Sequence, residues 1–124
     1  MKDFKLLING RLVAGASSMY VINPATEEAV AACPTADKAQ LNQAVAAAKA
    51  AFPAWSKTPI RERGKLITKL ADAMLARHEE FARLLTAEQG KPLPMAMWEV
   101  GGTAESLQYF AGLDLPDNVL KDGA

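Results

Sequence analysis

The chain has 124 residues, half of them apolar, with 14 basic and 14 acidic side chains and no net charge at neutral pH. That length fits one domain rather than two, and much of the apolar half is alanine, which buries little area per residue. Charge without a long run of one sign argues against a nucleic-acid surface, which needs clustered Lys and Arg.

The opening Met1-Lys2-Asp3-Phe4-Lys5-Leu6-Leu7-Ile8 carries a charge every few residues and only a short apolar run. It lacks the longer apolar region of a secretory signal, and no stretch reaches the about 20 apolar residues of a membrane helix. A cytoplasmic protein that makes no membrane contact is the expectation. The single cysteine, Cys33, cannot close an internal disulfide and fits a reducing compartment.

Strands are expected over about residues 4–33. Phe4 to Ile8 and Arg11-Leu12-Val13 flank Asn9-Gly10, a strong hairpin signal because a type I′ turn needs positive φ at both central residues. Gly15-Ala16-Ser17-Ser18 reads as a loop. Tyr20-Val21-Ile22 and Glu28 to Cys33 form a second strand pair around the turn Asn23-Pro24-Ala25-Thr26-Glu27.

After Pro34 the apolar period changes from two to about 3.6. Asp37 with Gln40 three residues later makes a capping box, and Leu41, Ala44, Val45, Ala48 and Phe52 share one face of a helix over about 37–52, ended by Pro53. Thr58-Pro59 starts a second helical stretch over about 59–89, with Leu66, Ile67, Leu70, Ala71, Met74 and Leu75 facing inward, then Phe81, Ala82 and Leu85. Periodicity leaves open whether this is one helix or two with a break near Arg77-His78. Gly90 stops it, with Pro92 just beyond. A further helix over about 95–111 turns Val100, Ala104, Leu107 and Phe110 inward, and Leu113 to Ala124 has no clear period.

Few residues carry obvious chemistry. Cys33 lies at a strand end with no histidine near it in sequence and no glycine-rich turn to expose it, so it reads as a small hydrophobe. His78, the only histidine, lacks partners in the sequence for metal ligation and reads as structural or solvated. Glu88-Gln89-Gly90-Lys91-Pro92 reads as a helix C-terminus, with glycine in the left-handed region and Lys91 favoured by the helix dipole. Gly101-Gly102 lies inside a helical pattern without the spacing of a phosphate loop, which points to close helix packing.

Several strings nevertheless resemble the aldehyde dehydrogenase superfamily when taken in order. They are Ile8-Asn9-Gly10, Ile22-Asn23-Pro24-Ala25-Thr26, Ala44 to Ala48 leading to Ala51-Phe52-Pro53-Ala54-Trp55, Pro59 to Arg63, Glu88 to Pro92, and Tyr109-Phe110-Ala111-Gly112. Each is weak alone, but together they cover nearly the whole chain. One departure stands out: the family often has glycine after Asn-Pro-Ala-Thr, where this chain has Glu27, so a less favourable turn is expected there.

The resemblance implies an NAD(P)-dependent oxidation of an aldehyde to a carboxylic acid. A cysteine thiolate attacks the aldehyde, and the thiohemiacetal loses hydride to the nicotinamide. Water activated by a general base then releases the acid. The family carries its nucleophile in a Gly-Gln-x-Cys string and its base in a Glu-Leu-Gly-Gly string. A tryptophan–asparagine pair supplies the oxyanion donor, and a Rossmann-like sheet holds the cofactor. None of these strings occurs here.

The family fold is α/β, whereas this chain alone is expected to be α+β, with N-terminal β-hairpins followed by three or four helices and no Rossmann-like sheet. Residues 1–124 are placed as the N-terminal part of the cofactor-binding domain. No catalytic or cofactor-binding residue is assigned, NAD or NADP is not expected to bind this chain, and the 124 residues are expected to be inactive. The resemblance further implies that the helix bearing Trp98 and Gly102 borders the aldehyde entrance tunnel. The carbonyl of Val21 and Glu88 match positions that hold a monovalent cation in some members. The alternative is a non-catalytic helical binding or interaction module derived from the dehydrogenase N-terminus; a truncated or proteolysed piece stands between the two, since a boundary in an exposed linker is tolerated. Faces led by Leu41, Leu66, Leu70 and Val100 are expected to lack a partner, and so to drive self-association or leave the chain loosely packed.

Overall fold

The computed structural model describes residues 4–115. In chain order it contains β1 (Leu6–Ile8), β2 (Arg11–Val13), β3 (Ser17–Ile22), β4 (Ala29–Thr35), α1 (Lys38–Ser56), α2 (Ile60–Leu75), α3 (His78–Gln89) and α4 (Leu93–Ala111). The architecture is α+β, and the strands form two separate antiparallel hairpins, β1–β2 and β3–β4. Among the described residues there is no parallel sheet.

The first hairpin turns where expected. Asn9 and Gly10 have φ of 51° and 71°, and Ile8 pairs with Arg11 across them. In the second hairpin Val21 pairs with Ala31 and Ile22 with Ala29, so the register shifts just before the turn. Within that turn the Asn23 side chain accepts from the Ala25 N–H at 2.9 Å, and the Asn23 carbonyl accepts from Glu27 at 2.8 Å. Glu27 is held at φ 60°, the left-handed region where a side chain is strained. Ser17 and Ser18, expected in a loop, belong to β3 because β4 extends past Cys33 to meet them, pairing Thr35 with Ser17 and Pro34 with Ser18. A two-stranded hairpin is all edge, so the missing N–H of Pro34 is tolerated there.

Helix α1 begins as the capping box requires: Asp37 accepts from the Gln40 N–H at 2.8 Å, and Gln40 Oε1 accepts from the Asp37 N–H at 3.3 Å. Gln40 also ties down the preceding loop. Its Nε2 donates to the Ala14 carbonyl at 2.8 Å, and its Oε1 accepts from the Ala16 N–H at 3.0 Å. The expected end at Phe52 is corrected: α1 continues through Pro53 to Ser56. A proline in the last turn removes one intrahelical hydrogen bond without stopping the few bonds left to form. Thr58 does not cap α2; its hydroxyl donates to the Ala54 carbonyl at 3.2 Å, closing α1, and Pro59 occupies the cap position.

The stretch expected over 59–89 is two helices. The break falls at Ala76-Arg77, with no glycine or proline to announce it. Arg77, at φ −119°, starts α3 and is held by local contacts: its guanidinium donates to both carboxylate oxygens of Glu80 at 2.8 and 2.9 Å and lies 5.0 Å from the Phe81 ring centroid. The Glu80 hydrogen bond and charge raise the already high pKa of Arg77. Helix α4 starts two residues earlier than expected, at Leu93, with Pro94 in its first turn, where no N–H is needed.

The helices α2, α3 and α4 pack together and α1 stays apart, with β1 as its main neighbour. The buried apolar residues are Ala31, Ala71, Ala82, Ala96, Val100 and Ala104. Phe81, Leu85, Leu93 and Met97 lie against the cluster of Ala82, Ala96 and Val100. Val100, expected on an unpartnered face, is thus corrected to a core residue, only 7% exposed. Phe110 and Leu75, expected inward, are exposed, and Leu66 and Leu70, read as an inward stripe that lacks its partner, are exposed as Leu41 is. Helix α2 instead packs through Gly64 and Ala71, with Ile67 and Met74 half-buried beside them. Gly64 lies against the Ala111 carbonyl so closely that no side chain fits. Small residues therefore set the α2–α4 contact, and the larger apolar side chains of α2 project away from it.

Candidate functional site

Of the residues singled out for function, Glu88 stands at the corner between α3 and α4, Trp98 and Gly102 lie along α4, and Val21 lies in β3. Gly90 ends α3 at φ 71°, and its N–H donates to the Thr86 carbonyl at 2.8 Å. The turn between β3 and β4 leans against this corner: a Cβ on Gly90 would stand 2.9 Å from Pro24 Cγ. Positive φ and lack of space both require glycine here.

Glu88, in the last turn of α3, lines a shallow groove with Phe81, Leu85, Glu99, Val100 and Thr103. Val21 does not line this groove, nor the neighbouring one around Asn23 and Gly90. Val21 lies in β3, just before the turn that packs on the corner. Lys91, expected to serve the carbonyl end of α3, instead forms an ion pair with Glu99 of α4. Sequence reasoning missed Glu99, because a contact across a helix corner leaves no periodic signal. Among the described residues, no three His, Cys, Asp or Glu side chains come together as they would to hold a metal ion.

Helix α4 presents two different faces. Ala96, Val100 and Ala104 turn toward the core. Trp98 and Gly102 sit about 200° around the helix from Val100. Trp98 is 80% exposed, and a Cβ on Gly102 would meet nothing within 4 Å. The expectation that both glycines serve close packing is corrected at Gly102. Gly101 faces His78, whose Nε2 lies 3.6 Å from where a Cβ would be. That same Nε2 donates to the Met97 carbonyl at 2.6 Å, so His78 acts as a brace between α3 and α4. Cys33 is half-buried in β4 with its Sγ 3.9 Å from the Pro34 carbonyl oxygen, as suits a small packing residue.

The chain matches the aldehyde dehydrogenase family over residues 12–118. It belongs to that family. Among aldehyde dehydrogenases of known sequence, a probable aldehyde dehydrogenase of a Pseudomonas species is 39% identical over 121 residues, covering 98% of this chain and 25% of that protein. Malonate-semialdehyde dehydrogenase 1 of Shouchella clausii is 37% identical over 114 residues, covering 90% of this chain and 23% of that protein. Among solved structures, betaine aldehyde dehydrogenase of Staphylococcus aureus in complex with NAD+ superposes with a TM-score of 0.84 at 29% identity, covering 89% of this chain and 23% of that one. The chain thus spans about a quarter of the length of the aldehyde dehydrogenases it matches. Among the described residues no helix is long and apolar enough to cross a membrane.

Proposed function

We propose that residues 1–124 form the N-terminal part of the cofactor-binding domain of a cytoplasmic NAD(P)-dependent aldehyde dehydrogenase. Its cysteine nucleophile, general base and cofactor contacts lie outside these residues, so the 124-residue chain by itself does not oxidise aldehydes. The observation that carries this reading is the 0.84 TM-score against an NAD+ complex of which the chain covers 23%. The sequence supports it further, since none of the family's reaction-bearing strings occurs in the chain.

In this reading α4 borders the aldehyde entrance, with Trp98 and Gly102 setting the width open to the substrate. The open space at Gly102 and the exposure of Trp98 support that role. Glu88 and the Val21 carbonyl are proposed to help hold a monovalent cation beside the α3–α4 corner.

The test compares two proteins, the 124-residue chain and the longest product of the same reading frame, each given NAD+ or NADP+ with a panel of aldehydes. Reduced nicotinamide is expected to accumulate only with a product that contains a Gly-Gln-x-Cys string. Turnover by the 124 residues alone would overturn the reading, as would a longer product that carries that string and stays inactive with every aldehyde.

A further inference from the structure

Helix α2 opens with cations at alternate positions, Arg61, Arg63 and Lys65. Two of them are answered by acids. Arg61 lies 3.7 Å from Asp114, just beyond α4, and Lys65 lies 2.7 Å from Glu62. Arg63, between them, is not answered: among the described residues its Nε is buried without a hydrogen-bond partner, and no carboxylate is paired with it.

The surroundings make that arrangement unfavourable. Arg63 is half-buried in an open groove of about 320 Å³, walled by Trp55 at the end of α1, Ile60 and Ile67 of α2, and Phe110 of α4. It also stands in the first turn of α2, where the helix dipole is positive and disfavours a cation. A guanidinium keeps its proton at any ordinary pH, so it cannot lower the cost by becoming neutral. Only an acceptor can offset it.

We propose that Arg63 is the anchor for a carboxylate supplied by the part of the same polypeptide that follows Ala124. The proposal rests on the enzymatic reading above, which requires further chain beyond these residues. A carboxylate fits on three counts. Its two oxygens accept parallel N–H bonds from the planar fork, Nε included. Its charge opposes both the guanidinium and the positive end of α2. The rings of Trp55 and Phe110, 44% and 64% exposed, offer apolar cover to the residues on either side of the acid.

The test places Arg63→Met in two proteins, the 124-residue chain and the longest product of the reading frame, and follows urea unfolding by circular dichroism. Methionine keeps a long apolar stem and suits a helix, so only the charged fork is lost. Opposite signs are expected. In the 124-residue chain the midpoint should rise or stay in place, because an unpaired charge has gone. In the longer product the unfolding equilibrium should shift about 100-fold toward the unfolded state, because the carboxylate is left buried alone. Arg63→Lys in the longer product keeps the charge and should recover part of that shift; a lysine variant as unstable as the methionine one overturns the carboxylate. A loss in both proteins overturns the proposal, since the acceptor then comes from within the 124 residues or from a second copy of them. A longer product indifferent to Arg63→Met overturns it too, and if that product still oxidises aldehydes the enzymatic reading survives the failure. A reading frame that stops at Ala124 overturns both.

Discussion

Pro24 and Gly90 meet across 66 residues of sequence, the ring of one occupying the space that a side chain on the other would need. Their contact seats the β3–β4 turn on the α3–α4 corner. Gly90→Ala adds a Cβ 2.9 Å from Pro24 Cγ and imposes a positive φ on a residue that resists it. A loss of about 2 kcal/mol is expected, read as a lower midpoint in urea unfolding. Pro24→Ala made together with Gly90→Ala should recover part of that loss, since it removes the clash and leaves only the backbone cost.

Glu27 calls for the opposite change. Its φ of 60° is one that glycine adopts freely, so Glu27→Gly should raise stability by about 0.5 to 1 kcal/mol after the extra entropy of an unfolded glycine is counted. An unchanged or lowered unfolding midpoint would mean that the turn does not hold Glu27 in this conformation in solution.

Gly64 tolerates nothing larger. A methyl there collides with the backbone carbonyl of Ala111 rather than with a movable side chain. Gly64→Ala should cost about 3 kcal/mol by forcing α2 and α4 apart, whereas Gly102→Ala, which faces open space, should gain several tenths through helix propensity. Urea unfolding of the pair of variants separates a packing glycine from a free one.

Gln40 supports the entry to α1 by three bonds beyond the helix. Gln40→Ala should cost about 1 to 2 kcal/mol. Gln40→Glu keeps an acceptor for the Ala16 and Asp37 N–H groups but replaces the donor that Ala14 needs with a carboxylate oxygen, so it should not rescue the loss. Amide exchange at Ala16 distinguishes the two, fast in Gln40→Ala and still protected in Gln40→Glu.

Width at the aldehyde entrance is tested in a longer, active product of the reading frame. Gly102→Leu should raise KM for bulky aldehydes by about 10-fold or more and leave acetaldehyde nearly unaffected, and Trp98→Ala should do the reverse for the bulky ones. Equal effects on small and large substrates would remove both residues from the entrance.

Local chemistry was legible in the sequence where one residue type has one common use. Asn9-Gly10 announced its turn, Asp37 with Gln40 its cap, and Gly90 its helix end, because each depends on backbone geometry within a few positions. Pro53 misled, since a proline stops a helix only if the helix has further to go. Periodicity left a break near Arg77-His78 as one of two alternatives and could not choose it, because the bonds of Arg77 to Glu80 and Phe81 resemble ordinary surface pairs within a helix. The largest misreading concerned facing. Periodicity finds the apolar stripe of α2 but not which part of it is used, and Gly64 and Ala71 take the contact while Leu66 and Leu70 point away. The site residues fared similarly: Glu88 was visible as part of a motif, but its neighbour Glu99 belongs to another helix and emerges only in three dimensions.

Among the described residues the core is five alanines and one valine, and that composition also decides how this chain should behave in a calorimeter. Heat capacity rises on unfolding in proportion to the apolar area newly wetted, typically about 12 to 15 cal/mol/K per residue, and alanine has little such area to release. Melting of the separated chain should therefore show a shallow step, a broad transition and a small urea dependence.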